Sequence, residues 1–209
     1  MRFLKKKYSN EELLKHYEEL YAKAKSNCNM GLAFSMARTM VAYKPIYEKV
    51  SAVTKHKVPW EIIACIHALE TNLNFNLGLH SGEPWDEKTK KVPKGKGPFA
   101  SWEDAAVDAL NSKPAPIKYN LFGWLHWLEG FNGYGYLWYH PEVNSPYLWA
   151  GTTEYSRGKY TADGKFDKNA VSKQLGAVLL LKTMVEVMRS MEEVTKQKKP
   201  VPETPVKPV

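Results

Sequence analysis

The residue best placed to do chemistry is Glu70, in the segment VPWEIIACIHALETNLNF. The apolar positions Ile62, Ile63, Ile66, Leu69 and Leu73 recur at helical spacing. Glu70 follows Ile63 by seven residues and Ile66 by four, so on a helix it falls within about 20–40° of both. A carboxylate in that position faces the protein or a cleft wall. Desolvation there disfavours the charged form and raises the pKa, which a general acid working near neutral pH requires. The alternative is a carboxylate that reaches solvent past a crowded helix end or pairs with a buried Arg or Lys.

Residues 74–98 supply a candidate partner. Glu83 lies in a Gly-, Pro- and Lys-rich stretch, with Thr89 six residues further on. A loop or small hairpin after an acid-bearing helix can present a second carboxylate across a groove, the arrangement that glycosidic cleavage uses. Glu83 is the candidate for that carboxylate, with Thr89 helping to hold a water on the opposite face of the sugar. Asp86 and Glu87 compete for the same role, and all these acids can equally serve to solvate a loop.

Half of the aromatic residues fall between Tyr119 and Tyr160. Many sit among Gly, Asn, Ser and Pro, where a core role for all of them is not expected. Aromatic faces beside amide side chains suit the C–H faces and hydroxyl edges of sugars, and also single-stranded bases. Trp124 and Trp127, at helical spacing, read as core. Tyr134, Tyr136 and Trp149 read as binding residues.

These residues need elements to position them. Ser9 and Glu12 fit a capping box before Leu13, Leu14, Tyr17, Leu20 and Tyr21. A second helix is predicted over 30–54, and a third from Pro59 to about Leu73. The stretch 74–98 lacks helical periodicity and reads as a loop or small β-hairpin, with 89–92 its extended part. Ser101 and Asp104 open a helix ending near Asn111. Another is predicted over 117–129, stopped by Gly130 and the Asn132–Gly133 turn. Asp167 is expected to cap a long last helix over 168–194, with Val171, Leu175, Val178, Leu179, Val185 and Met188 as its core face. The fold class is therefore mainly α, with one β-like excursion after the helix bearing Glu70. One domain is expected over 1–196, with helices of 1–57 packed on it, followed by a Pro- and Lys-rich flexible tail over 197–209.

Composition narrows the function classes. An aromatic fraction of 12% and a hydrophobic fraction of 44% belong to a folded globular chain. MRFLKKKYSN has a basic run but no apolar stretch behind it, so a soluble cytoplasmic product is expected, one that would need a release route to reach a wall. No window approaches a membrane span. Cys28 and Cys65 suggest neither a disulfide framework nor a metal site, and His67 and His80 read as structural or solvated. The net charge of +8 draws the protein toward polyanions. Nucleic acid is the weaker partner: no helix carries a Lys/Arg stripe, and KGKGP lacks the ending of a phosphate loop.

Several motifs occur in order: IHALETNLNFNLGLHSGEP, VPKG, WEDAAVDAL, FNGYGY, NSPYLWAGT and GKYTADGKFD. Over roughly 59–181 the chain resembles a family of phage and bacterial lysozyme-like proteins, related in plan to phage lysozymes and lytic transglycosylases. The resemblance implies a lysozyme-like fold, peptidoglycan as substrate and Glu70 as the acid. Glu70, Glu83 and Thr89 match the order of acid, hairpin carboxylate and threonine in the simplest phage lysozymes. Two features depart from that pattern: Glu stands where Asp is usual in the HSG-x-P motif, and the interval from Glu70 to Glu83 is longer. FNGYGY resembles the segment lining the sugar groove of transglycosylases, which points to Asn132 and Tyr134. With Tyr136, Tyr147 and Trp149 these complete the expected substrate-binding set. The expected protein is a monomeric endolysin-type muramidase acting on peptidoglycan glycan strands without cofactor or metal. The alternatives are a lytic transglycosylase leaving 1,6-anhydro-muramic ends and a non-catalytic glycan-binding module.

Overall fold

A computed structural model describes residues 8–197. The basic N-terminal run and all of the expected tail but Gln197 lie outside the described residues. Helix α1 (Asn10–Lys23) starts as its sequence dictates: Ser9 Oγ accepts from the Glu12 amide, and the Glu12 carboxylate accepts from the Ser9 amide. The single helix expected over 30–54 is two helices, α2 (Met30–Ala42) and α3 (Lys44–Val53), meeting at Tyr43. Pro45 is the cause. It has no N–H to give, and its ring would strike the carbonyl four residues back in a continuous helix, so it begins a new one.

Helix α4 (Trp60–Thr71) is the centre of the molecule. Of its residues only Glu61 and Glu70 are not buried, so it is apolar on all sides and not simply amphipathic. Helices α2 and α3, together with α6 (Leu121–Asn132) and α9 (Ala177–Gln197), pack around it. It ends at Asn72 and Leu73, both in the left-handed region with φ of 52° and 63°. The helix cannot continue through that conformation, and the chain turns into the 74–101 loop.

The excursion after α4 is a loop without strands. One bridge joins Leu77 to Pro84, and a turn joins Thr89 to Gly95 and Lys96. The expected extended run 89–92 forms no strand; only Thr89 takes part in backbone bonds of the turn. The Lys90 and Lys91 amides point at the Glu83 carboxylate, and Pro93 has no donor. Helix α5 (Trp102–Asn111) follows, capped by Ser101, whose hydroxyl accepts from the Asp104 amide.

Helix α6 starts at Leu121, later than expected, with Asn120 accepting from the Gly123 amide. It runs through Gly130 to Asn132. A Cβ at Gly130 would stand 2.4 Å from the Tyr134 hydroxyl, so this glycine makes room for a side chain and does not stop the helix. Two short helices follow, α7 (Gly135–Tyr139) and α8 (Pro146–Trp149). The β-hairpin lies here: β1 (Lys159–Ala162) pairs antiparallel with β2 (Lys165–Asp167) across Asp163–Gly164, where Gly164 has φ of 67°.

Asp167 ends β2 and accepts from the Asn169 amide, so it caps a turn and not the last helix. The segment 168–176 crosses the end of α4 before α9 begins. Of the expected core face, Val178 and Leu179 are buried and Leu175 and Met188 pack against the core, while Val171 and Val185 are exposed; Leu181, Met184 and Val187 complete the buried side of α9. One contiguous apolar core runs from Tyr17 on α1 to Val187 on α9. Among the described residues no helix is long and apolar enough to cross a membrane.

Candidate active site

Glu70 occupies the last turn of α4, where the aligned peptide dipoles place partial negative charge. Its carboxyl is partly buried, and that burial raises its pKa above the ordinary carboxylate value. Two groups oppose the shift without cancelling it. The Tyr147 hydroxyl donates to Glu70 Oε1 at 2.7 Å, and the Lys113 ammonium acts on it electrostatically. Among the described residues Glu70 has no ion-pair partner. The carboxyl is thus oriented, partly desolvated and inclined to hold a proton.

The Tyr147 side chain is aimed by α8. Pro146 opens this helix and the Ser145 carbonyl accepts from the Leu148 and Trp149 amides. The α8 backbone is pressed against the start of α9, where the Gly176 amide donates to the Ala150 carbonyl at 2.8 Å. Burial raises the Tyr147 pKa, so the phenol stays a donor. On another side Glu70 lines a recess of about 360 Å³ with Leu32, Met36, Leu77, Lys173 and Gln174. Gln174 Nε2 donates to the Leu69 carbonyl, tying the recess wall to the end of α4.

The loop bearing Glu83 is folded onto that same helix end. Gly82 has φ of 67°, and a Cβ there would lie 3.3 Å from the Glu70 carbonyl. The Glu83 carboxylate accepts from the Lys91 and Lys90 amides and from the Ser81 hydroxyl. The backbone bond from Lys91 leads the causes that hold its pKa below the ordinary value, so the two carboxyls are shifted in opposite directions. Thr89 is buried, donates its hydroxyl to the Pro93 carbonyl and accepts from the Lys96 amide. That hydroxyl is engaged in shaping the loop. Asp86 and Glu87 are exposed, and Glu87 pairs with Lys90 at 3.7 Å.

The expected sugar-binding residues divide. Tyr147, only 6% exposed, is in direct contact with Glu70 through its hydroxyl and is not an open groove-lining ring. Asn132 is exposed at the end of α6, and Tyr134 is partly buried, stacked on His126 at 4.7 Å between centroids. Tyr136 and Trp149 are 4% and 1% exposed, and this corrects their reading as groove-lining rings. The Tyr136 hydroxyl accepts from the Tyr160 amide, joining α7 to β1, and Trp149 fills the core. The accessible rings of α7 are Trp138 and Tyr139, at 53% and 57%. Their neighbours in sequence resemble those of Tyr136, so only the phase of the five-residue helix α7 separates outside from inside.

Three further residues were not singled out from the sequence. Lys113 and Gln174 carry no local signal, since their relation to Glu70 arises from packing. Glu129 is completely buried, accepts from the Tyr17 hydroxyl, and has its pKa pushed up to about 7 by burial. It lines a narrow pocket with Tyr17, Tyr136 and Trp149. His67 and His80 are engaged within the fold. His67 meets the Tyr47 hydroxyl within an aromatic cluster, and His80 pairs with Asp108 at 2.8 Å. Among the described residues no trio of His, Cys, Asp or Glu converges to hold a metal ion. No protein family, no curated protein and no solved structure matches the chain.

Proposed function

We propose that this protein is a glycosidase of bacterial peptidoglycan that cuts the β-1,4 linkage between N-acetylmuramic acid and N-acetylglucosamine, with Glu70 as general acid. The observation carrying this reading is the pairing of environments at the end of α4. One carboxyl, Glu70, is desolvated and oriented by a phenol. A second, Glu83, is held ionised on the loop that packs on the Glu70 backbone. Carboxyls whose surroundings drive their pKa values apart are suited to acid and base or stabiliser roles respectively. In this reading Glu70 protonates the leaving glycosidic oxygen, and Glu83 stabilises the positive charge developing on the sugar or activates water. Thr89 contributes by shaping the loop that presents Glu83.

The engagement of the Thr89 hydroxyl favours a second reading, a lytic transglycosylase. With no free hydroxyl there to hold water, Glu70 would act as acid and then base while the muramic C6 hydroxyl closes an anhydro ring. Wall clearing measured with Glu70→Gln tests both. A loss of about 10²–10⁴-fold is expected for removal of a general acid, and retained clearing sinks the assignment. Mass spectrometry of the products separates the two, since an anhydro-muramyl end excludes simple hydrolysis.

A further inference from the structure

A narrow pocket of about 20 Å³ lies between α1, α6, α7 and the 141–149 segment. Its lining runs from the buried Glu129, Ser145 and Trp149 to the partly exposed Tyr8 and His16 and the exposed Pro141, so it reaches the surface. A space of that size holds one water-sized species, since about 10–15 Å³ suffices for a single water. Three oxygen-bearing side chains line it. The Glu129 carboxylate accepts from the Tyr17 hydroxyl on one oxygen, which leaves acceptor capacity on the group. Ser145 is 2% exposed, and its hydroxyl has no hydrogen-bond partner among the described residues. Asn144 has its amide nitrogen committed to the Glu154 carbonyl at 2.9 Å, so its oxygen is the atom left for a ligand.

Among the described residues Glu129 has no ion-pair partner, and no Lys or Arg lines the pocket. A buried carboxylate without a counter-ion is costly, and so is a buried hydroxyl without a partner. A proton on Glu129 relieves the charge but leaves the Ser145 hydroxyl unserved. A water serves the hydroxyl but leaves the charge. We infer that this pocket is a binding site for one monovalent alkali cation, held by Glu129, Ser145 and Asn144. The other titratable groups that line it are Tyr8, His16, Tyr17 and Tyr136, so Glu129 is its one carboxylate. A monovalent ion balances that single charge, whereas a divalent ion overshoots it in a site largely removed from water. Ser145 immediately precedes α8, whose Tyr147 bonds Glu70. The ion would therefore tie α6 to the segment that aims the candidate active site. The inference stands whether or not Glu70 is a catalytic acid.

The test is thermal unfolding of the full chain near pH 8, above the value of about 7 to which burial pushes Glu129. Sodium, potassium and choline chloride are compared at equal concentration, choline being too large for the pocket and matching the others in ionic strength. Sodium or potassium should raise Tm above the choline value by about 2–4 °C, the shift for an ion present at a few times its Kd. Glu129→Gln keeps the shape of the side chain and removes its charge, and should abolish the gap. Ser145→Ala removes a ligand and should shrink it. In crystals soaked with rubidium chloride, an anomalous peak should stand between Glu129 and Ser145. Equal Tm in the three salts overturns the inference, as does a gap that is unchanged in either variant. Should Glu129→Gln not fold, Ser145→Ala decides alone. A rubidium ion bound only outside this pocket also overturns it, and stronger stabilisation by millimolar calcium would make the site a divalent one.

Discussion

At the scale of single residues, the two raised carboxyls lead to opposite expectations. The Tyr147 hydroxyl favours the charged form of Glu70, so Tyr147→Phe should raise the Glu70 pKa further. A general acid works in its protonated form, so activity is lost as pH rises through that pKa. The alkaline limb of the pH–rate profile should therefore move upward in the variant, while kcat falls about tenfold as the carboxyl loses its orientation. A limb that stays or moves down would remove Tyr147 from the site. Glu129 concerns stability instead. Its folded value of about 7 lies above the ordinary 4.5. Between those two values the folded protein keeps a proton that the unfolded chain releases, so stability falls as pH rises through that window and levels off above it. The shift corresponds to about 3 kcal/mol. Glu129→Gln keeps an acceptor for Tyr17 and abolishes the titration. Urea unfolding should show the variant gaining on wild type between pH 4.5 and 7 and holding that gain at pH 8. A difference independent of pH would show that Glu129 does not titrate in this window.

At the scale of elements, the site depends on how α8 and the 74–101 loop are pressed onto the ends of α4 and α9. A Cβ at Gly176 would meet the Leu148 carbonyl at 2.5 Å and the Ala150 amide at 2.7 Å, both backbone atoms that cannot swing aside. Gly176→Ala should cost about 1–3 kcal/mol by overpacking and should reduce activity by displacing Tyr147. An unaltered Tm with unaltered kcat would show that α8 tolerates the shift. The loop is clamped from α5 by Asp108, which meets His80 and Lys96 at 2.8 and 2.9 Å. Asp108→Ala should expose the 85–99 region to limited proteolysis with little change in Tm, and resistance equal to wild type would deny the clamp. These same elements mark what the sequence made legible. Local signals are legible. The α1 capping box, the Ser101 cap and the apolar stretch around Glu70 need only a few neighbouring residues to specify them. Features set at a distance were not legible. Pro45 divides a helix whose apolar spacing runs on, the lysine amides of 90–91 serve Glu83 in place of a strand, and Asp167 caps a turn where its spacing also suits a helix. The relation of Tyr147 and Lys113 to Glu70 is made entirely by tertiary packing, across 77 residues for the hydrogen bond from Tyr147.

At the scale of the whole molecule, the charge is unbalanced toward cations, and part of the excess lies on the loop beside the candidate site. The chain has 30 Lys and Arg against 22 Asp and Glu. Lys88, Lys91 and Lys94 are exposed on the loop that carries Glu83, and among the described residues they form no ion pair. Clustered cations of this kind steer association by a field that extends about 10 Å at 0.1 M salt and collapses to about 3 Å at 1 M. The chemistry at Glu70 is different in kind, because a partly buried carboxyl and its hydrogen bond are screened little. Salt should therefore separate the two contributions. Raising ionic strength from 0.05 to 0.5 M should weaken sedimentation with intact walls and slow their clearing through KM, while kcat on a short soluble glycan holds within about twofold. Replacing Lys88, Lys91 and Lys94 together with Gln should reproduce the high-salt behaviour at low salt and flatten the salt dependence. If the triple variant keeps the full salt slope, the attraction comes from elsewhere on the surface, and the loop lysines serve only to solvate the turn that holds Glu83.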